Sequence, residues 1–337
     1  MNRRGFLRGM AQLSTCAAGV AILDGCGRPV WDSRPTMARV GVLSLYQHDA
    51  PLGSQYLESF RTGMRDLGWV QDHNIAFDVR YADDGPLRDL ASQLVRLPVD
   101  VILTIGNTEV LLAARDATTT LPIVVAGVAD PVATGVAASL AHPGGNVTGA
   151  MLSTAQDPKN VELLKDSVPC LARLAILFNP VAAAASPQIL PTLEQAADAV
   201  GIQTSRFEAP SVADFDLAFA RVRDWSAQAL FVLSDSSLIN PHYGLVADLA
   251  LRSRLPSMTV LRPYAEAGGL MTYGPNAPTN YVRAASYVDR ILRGAKPGDL
   301  PIERPSVFEF VVNARTARAL GVSFPPDVAA QVTEWLE

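Results

Sequence analysis

Six short polar stretches in this sequence follow runs of apolar residues, and they hold the side chains with chemistry to offer. They are Ser44 with Tyr46, Gly106-Asn107-Thr108, Asp130-Pro131, Asn179-Pro180, Ser234-Asp235-Ser236-Ser237, and Tyr273. Hydroxyls, amides and carboxylates on short stems suit the holding of a small polar molecule by hydrogen bonds. A ligand carboxylate would meet helix N-termini and the hydroxyls of Ser44, Thr108 and Ser236, and a ligand ammonium would meet Asp130 or Asp235. Tyr46 or Tyr273 could stack on an apolar or aromatic part. Each stretch has a second explanation. Asp130-Pro131 and Asn179-Pro180 match a helix N-cap followed by proline, and the runs at Ser234 and at Asn107 can cap the helices that follow them. Both explanations stay open, because a cap can also be a ligand donor.

Bond-making chemistry finds little support. The chain has no GxxxxGK[ST] phosphate loop, no GxGxxG after a strand and no GxSxG elbow, which removes the usual signs of nucleotide hydrolysis, dinucleotide redox chemistry and α/β-hydrolase catalysis. His48, His73, His142 and His242 are scattered without metal-ligand spacing. Asp83-Asp84 reads as a solvated turn. We therefore expect no enzyme activity, no metal and no cofactor.

The polar stretches need a scaffold that ends several strands side by side. Apolar runs of strand length alternate with helical patterns: strands at 39–45, 75–81, 99–105 and 123–126, and helices at 52–67, 86–96 and 108–117. Runs such as VDVILTI and LPIVVAG are apolar on both faces, as in a parallel sheet covered by helices on each side. The alternation predicts a doubly wound α/β unit, in which ligands lie beyond the carboxyl ends of the strands.

The second half repeats the first. ARLAILFNP answers ARVGVLS, GIQTSRFEA answers NIAFDVRYA, AQALFVLSD answers VDVILTIGN, LPSMTVLRP answers LPIVVAGVADP, and GGLMTYGP answers GGNVTGAML. The offset holds near about 130 residues, the scale of a domain rather than a solenoid repeat. The predicted fold class is thus α/β, with two doubly wound parallel-sheet lobes. A helical pattern at 280–293, a strand at 307–312 and a helix at 314–320 remain after the repeat. Placing the first on lobe 1 and the other two on lobe 2 gives three hinge crossings. Lobe 1 is then 38–148 plus 275–304, and lobe 2 is 149–274 plus 305–337.

With 28 basic and 33 acidic residues among 337, the net charge is −5, which argues against nucleic acid as a partner. The first 26 residues have a basic head, a short stretch of small apolar residues and Gly25 before Cys26. That is the layout of an export signal, followed by a tether at 27–37. Arg3-Arg4-Gly5-Phe6-Leu7 resembles a twin-arginine signal, and Leu23-Asp24-Gly25-Cys26 resembles a lipoprotein box that would lipidate Cys26. Cys170 is then alone in the body, which leaves no internal disulfide.

Longer stretches carry a wider likeness: FRTGMRDLGWVQDHNIAFDVRYADD, LPIVVAGVADPVATGVAASLAHPGGNVTGAML, AEAGGLMTYGPN, and YVDRILRGAKPGDLPIERP with FEFVVNARTARALG. Through them, nearly all of the chain after Met37 resembles the substrate-binding proteins of bacterial ABC transporters, in the group that includes tryptophan- and phenylalanine-binding lipoproteins. The resemblance implies a type I periplasmic-binding fold, closure on a small molecule, and delivery to an ABC permease in the inner membrane. It places Ser44, Asn107, Thr108, Asp130, Asn179, Asp235 and Tyr273 in the cleft. A periplasmic monomer, with a lipid anchor if Cys26 is lipidated, is the expectation; a sensory receptor of the same fold and a cleft enzyme are the alternatives.

Overall fold

The computed structural model describes residues 37–128, 131–152, 158–184 and 187–337. The export segment, the tether up to residue 36, Cys26 and Asp130 lie outside the described residues. The first half of the chain forms β1 (Ala38–Ser44), α1 (Pro51–Asp66), β2 (Ile75–Tyr81), α2 (Leu87–Arg96), β3 (Val101–Ile105), α3 (Thr108–Ala117), β4 (Ile123–Val128) and β5 (Val147–Met151). Its strands pair in the order β2-β1-β3-β4-β5, all parallel. Every residue of β3 is buried, which a sheet achieves only when helices cover both faces.

After α4 (Pro158–Ser167) the same plan recurs as β6 (Arg173–Phe178), α5 (Pro180–Ala184), α6 (Ile189–Ala199), β7 (Gln203–Glu208), α7 (Phe215–Asp224), β8 (Ala229–Val232), α8 (Tyr243–Arg252), β9 (Ser257–Thr259), α9 (Pro263–Glu266) and β10 (Met271–Pro275). The strand order β7-β6-β8-β9-β10 is that of the first sheet. Both sheets therefore reverse direction beside their first strand, and polar residues leave the carboxyl ends of β1 and β3 in one sheet and of β6 and β8 in the other.

The tail works across both sheets. Asn276 ends β10 and caps α10 (Ala277–Leu292), its Oδ1 accepting the Thr279 N–H at 3.1 Å. This cap starts the helix three residues ahead of the sequence pattern. α10 packs on β4, β5 and α1 of the first lobe. Residues 300–303 then run along the open edge of β5: the Thr148 hydroxyl donates to Leu300 O at 2.8 Å, and Glu303 exchanges backbone bonds with Gly149 and Met151 at 2.9 Å. Covering that edge removes a row of unpaired backbone groups. The chain crosses back to form β11 (Phe308–Asn313), α11 (Ala314–Leu320), α12 (Pro326–Ala329) and β12 (Glu334–Leu336). β11 lies antiparallel to β10, so the second sheet is parallel-dominated rather than wholly parallel. A returning segment enters from the opposite end and can only pair in that sense. Arg262 clamps this extension, donating to Glu266 at 2.7 Å and to both oxygens of Glu334 at 2.7 and 2.8 Å.

Among the described residues no helix is long and apolar enough to cross a membrane. The helix pair α1–α10 depends on one small residue. A Cβ on Gly63 would sit 2.8 Å from both Ala285 Cβ and Val282 O, so the helices touch backbone to backbone. Gly63→Val is expected to cost about 2 kcal/mol or more in urea unfolding, and an unchanged midpoint would contradict this contact.

Buried phenols set a second expectation. Burial raises Tyr46 from 10.0 to about 12 and pushes Tyr56, Tyr243, Tyr264, Tyr281 and Tyr287 up as well. The unfolded chain loses these protons first, so stability is full below about pH 10 and falls as pH rises beyond it, by up to about 1.4 kcal/mol per pH unit for each phenol. Unfolding free energies measured at pH 8 and pH 11 should show this loss.

Candidate functional site

The first lobe supplies one wall. At the end of β1 the Ser44 hydroxyl accepts the Tyr46 N–H at 3.1 Å, a short turn that sets the direction of the Tyr46 ring. At the end of β3, Asn107 caps α3, its Oδ1 accepting the Glu109 N–H at 2.9 Å. Two glycines keep the floor low. Gly106 has φ +139°, and a Cβ on Gly127 would lie 2.3 Å from Gly106 O, so the ends of β3 and β4 meet without side chains between them. Tyr281 of α10 reaches down to the Gly106 backbone, and its ring stacks on Tyr56 of α1 at 4.5 Å. Tyr46 meets Tyr56 edge-on at 5.8 Å.

The second lobe supplies the facing wall, built around Asp235. This carboxylate is 4% exposed. Its Oδ1 accepts the Ser237 N–H at 3.0 Å and the Ser237 hydroxyl at 2.7 Å; its Oδ2 accepts the Leu238 N–H at 3.0 Å and the Asn179 amide at 2.9 Å. Asn179 in turn accepts the Val181 N–H at 3.0 Å, capping α5. Four donors fill the lone-pair sites of the carboxylate, so Asp235 is anchored by neutral groups of its own lobe. Next to it the Ser234 hydroxyl donates to Asn240 Oδ1 at 3.0 Å, and the Tyr243 hydroxyl donates to Ser234 at 3.3 Å.

Between the walls lies a cavity of about 80 Å³, several times what one water needs. Tyr46, Asn107, Thr108, Asn179, Ser234, Asp235 and Ser236 all line it. The lobes touch there: the Tyr46 hydroxyl donates to Ser236 Oγ at 3.1 Å, a buried bond between residues 190 apart in sequence. No lysine or arginine is among the described lining residues. Glu109, at the start of α3, has its carboxyl pushed up by partial burial and by the charge of Asp235, so two acids from different lobes feel each other near the cavity.

Two residues singled out from sequence are not brought to the lining. Ser44 is buried beneath Tyr46 and acts through it. Tyr273 stacks on Phe308 at 5.7 Å and meets Phe310 edge-on at 6.3 Å, because antiparallel β11 brings those rings alongside β10. Asp130 lies outside the described residues. The residues that pattern reasoning missed are Tyr56, Tyr281 and Asn240. Tyrosines on buried helix faces were a usable signal, since a buried phenol needs a polar partner. Asn240-Pro241 repeats the Asn179-Pro180 dipeptide.

Outside the cavity, exposed His48 stands 3.2 Å from Asp83 and 3.9 Å from Asp84, its ring 4.0 Å from that of Tyr81. Asp84 already accepts the Tyr81 N–H at 3.0 Å, and the group behaves as a solvated, hydrogen-bonded turn.

The tyrosine-binding protein of Clostridioides difficile (strain R20291) is 24% identical to this chain over 314 residues, covering 90% of this chain and 89% of the relative. Among solved structures, an ABC domain in complex with L-Trp from Streptococcus pneumonia matches with a TM-score of 0.80 at 24% identity, covering 89% of this chain and 99% of that one. The ligand-free, open structure of CD0873, a substrate binding protein from Clostridium difficile, matches with a TM-score of 0.66 at 22% identity, covering 89% and 100%. These likenesses establish the type I periplasmic-binding architecture that the paired sheets already display. The sequence model of the ABC transporter substrate binding protein family matches residues 39–335, so the chain belongs to that family of binding proteins.

Proposed function

We propose that this protein is the extracytoplasmic solute-binding component of an ABC import system, and that it captures a small zwitterionic solute, an amino acid, between its lobes. The observation that carries this reading is the cavity itself, walled by strand-end residues of both sheets and bridged by the Tyr46–Ser236 hydrogen bond. A solute held by both walls favours the closed form over the open one, and only such shared contacts can drive closure. The greater likeness to the L-Trp complex than to the ligand-free, open structure supports a closed arrangement here.

The lobes are assigned as 38–148 plus 275–304 and 149–274 plus 305–337, with the boundaries moved to follow Met151 and Pro275 so that β5 and β10 stay whole in their sheets, and the three crossings form the hinge. Asp235 lines the wall and no lysine or arginine is among the described lining residues, so the field in the cavity favours a solute with a cationic group, even though the donors already on Asp235 leave it no direct pair to make. A carboxylate would be met by the donors of the two walls, namely the N-terminus of α3, the hydroxyls and the side-chain amides. The stacked Tyr56–Tyr281 pair offers an apolar surface for a side chain, in keeping with the tyrosine-binding relative. The remaining parts of the reading are export through the segment 1–26, lipid anchoring at Cys26, action as a monomer and delivery to a permease.

A thermal-shift panel of the amino acids and small aromatic carboxylates tests the reading. At least one amino acid should raise the melting temperature and be recovered chemically unchanged; turnover of that compound would instead mark a cleft enzyme. Tyr46→Phe removes the bond between lobes while keeping the ring. It should weaken solute binding about fivefold, the worth of one net hydrogen bond near 1 kcal/mol, and enlarge the radius of gyration of the free protein in solution scattering. Equal affinity and equal radius would show that the bond does not help to close the lobes.

A further inference from the structure

Asn240 follows the serine-rich turn of the second lobe, lines the cavity and is 6% exposed. Its Oδ1 accepts the Asp235 N–H at 2.9 Å and the Ser234 hydroxyl at 3.0 Å. A backbone N–H can only donate, so the orientation of the amide is settled and Nδ2 is the atom left over. That nitrogen is buried with no acceptor at hydrogen-bond geometry. The Tyr46 phenol oxygen lies nearby and feels the amide, but outside that geometry. The neighbouring hydroxyl oxygens keep lone pairs that could accept, but none of them stands at hydrogen-bond geometry from Nδ2. Ser234 gives its proton to Asn240 Oδ1 and receives one from Tyr243, while Tyr46 gives its own to Ser236. A buried amide donor left in this state is unfavourable, and native proteins keep few of them without a purpose.

We propose that Asn240 is a specificity-determining contact of this site, donating from Nδ2 to a carboxylate or carbonyl oxygen of the bound solute. The inference rests on the solute-receptor reading and deepens it, because it assigns which end of the molecule points at the turn after β8. An oxygen there completes the amide. An ammonium in front of Nδ2 would face another donor instead of an acceptor, so the site sorts the two ends of a zwitterion by hydrogen-bond polarity as well as by charge.

The test uses full-length protein and whichever members of the amino-acid and carboxylate panel bind it, followed by calorimetric titration of two variants. Asn240→Asp keeps the size of the side chain and the oxygen that holds the Asp235 N–H, but puts an acceptor where the donor was. Its affinity should fall at least about 100-fold. Asn240→Ala removes the donor and the bracing oxygen together and should bind about 10-fold to 50-fold more weakly than wild type, a smaller loss than that of the aspartate. A purely bracing role predicts the reverse order, because Asn240→Asp preserves the brace. Binding by Asn240→Asp within about threefold of wild type, or tighter than by Asn240→Ala, overturns the proposal. Should the aspartate variant melt below the assay temperature, unchanged affinity of Asn240→Ala does the same. If no panel member binds wild-type protein, the receptor reading itself falls and this inference falls with it.

Discussion

A carboxylate taken out of water must be surrounded by donors, and the second lobe is organised around that requirement at Asp235. Its oxygens collect the Ser237 and Leu238 N–H groups, the Ser237 hydroxyl and the Asn179 amide. These bonds fix the strand ends of β6 and β8 relative to each other, because Asn179 leaves one and Asp235 leaves the other. The Asp235 N–H in turn holds Asn240. One buried charge thereby sets the positions of Asn179, Ser236 and Asn240 in the cavity wall. Losing any one donor would leave the ion short of a partner, which is far costlier than losing an exposed contact.

The first lobe meets this wall with rings instead of charge. Tyr46, Tyr56 and Tyr281 come from a strand end, from α1 and from α10, and the last belongs to a segment that has just crossed from the other sheet. The close α1–α10 contact at Gly63 therefore seats Tyr281 as well as holding the fold together. Where the walls touch, a phenol meets a serine hydroxyl at 3.1 Å. A single neutral hydrogen bond of this kind is worth little net free energy. Glu109 of the first lobe feels the charge of Asp235 in the second, which raises its carboxyl along with its partial burial.

Much of this was legible in the chain itself. Fully apolar strand runs alternating with helical patterns, repeated at a near-constant offset, determined two doubly wound, parallel-dominated α/β lobes, because period and burial on both faces are local properties of sequence; the shared strand order came from the structure. The family was legible too, and with it the expectation of a site at the carboxyl ends of the strands. Asn107 and Asn179 could be identified as caps from their place before a helix, and the structure adds that they line the cavity at the same time.

What only the tertiary structure decided was which polar groups face one another. Tyr273 looked like a cleft residue until antiparallel β11, a pairing made by a returning segment, put Phe308 and Phe310 against it. Tyr56 and Tyr281 looked like ordinary core until the helices that carry them met over the floor formed by Gly106 and Gly127. Asp235 was a plausible ammonium partner until four donors were seen to fill it, and Asn240 drew no notice until its oxygen was seen to be taken and its nitrogen left over. Periodicity reports how each segment is buried; the pairing of donors with acceptors depends on contacts between residues far apart in the chain, which no local pattern encodes.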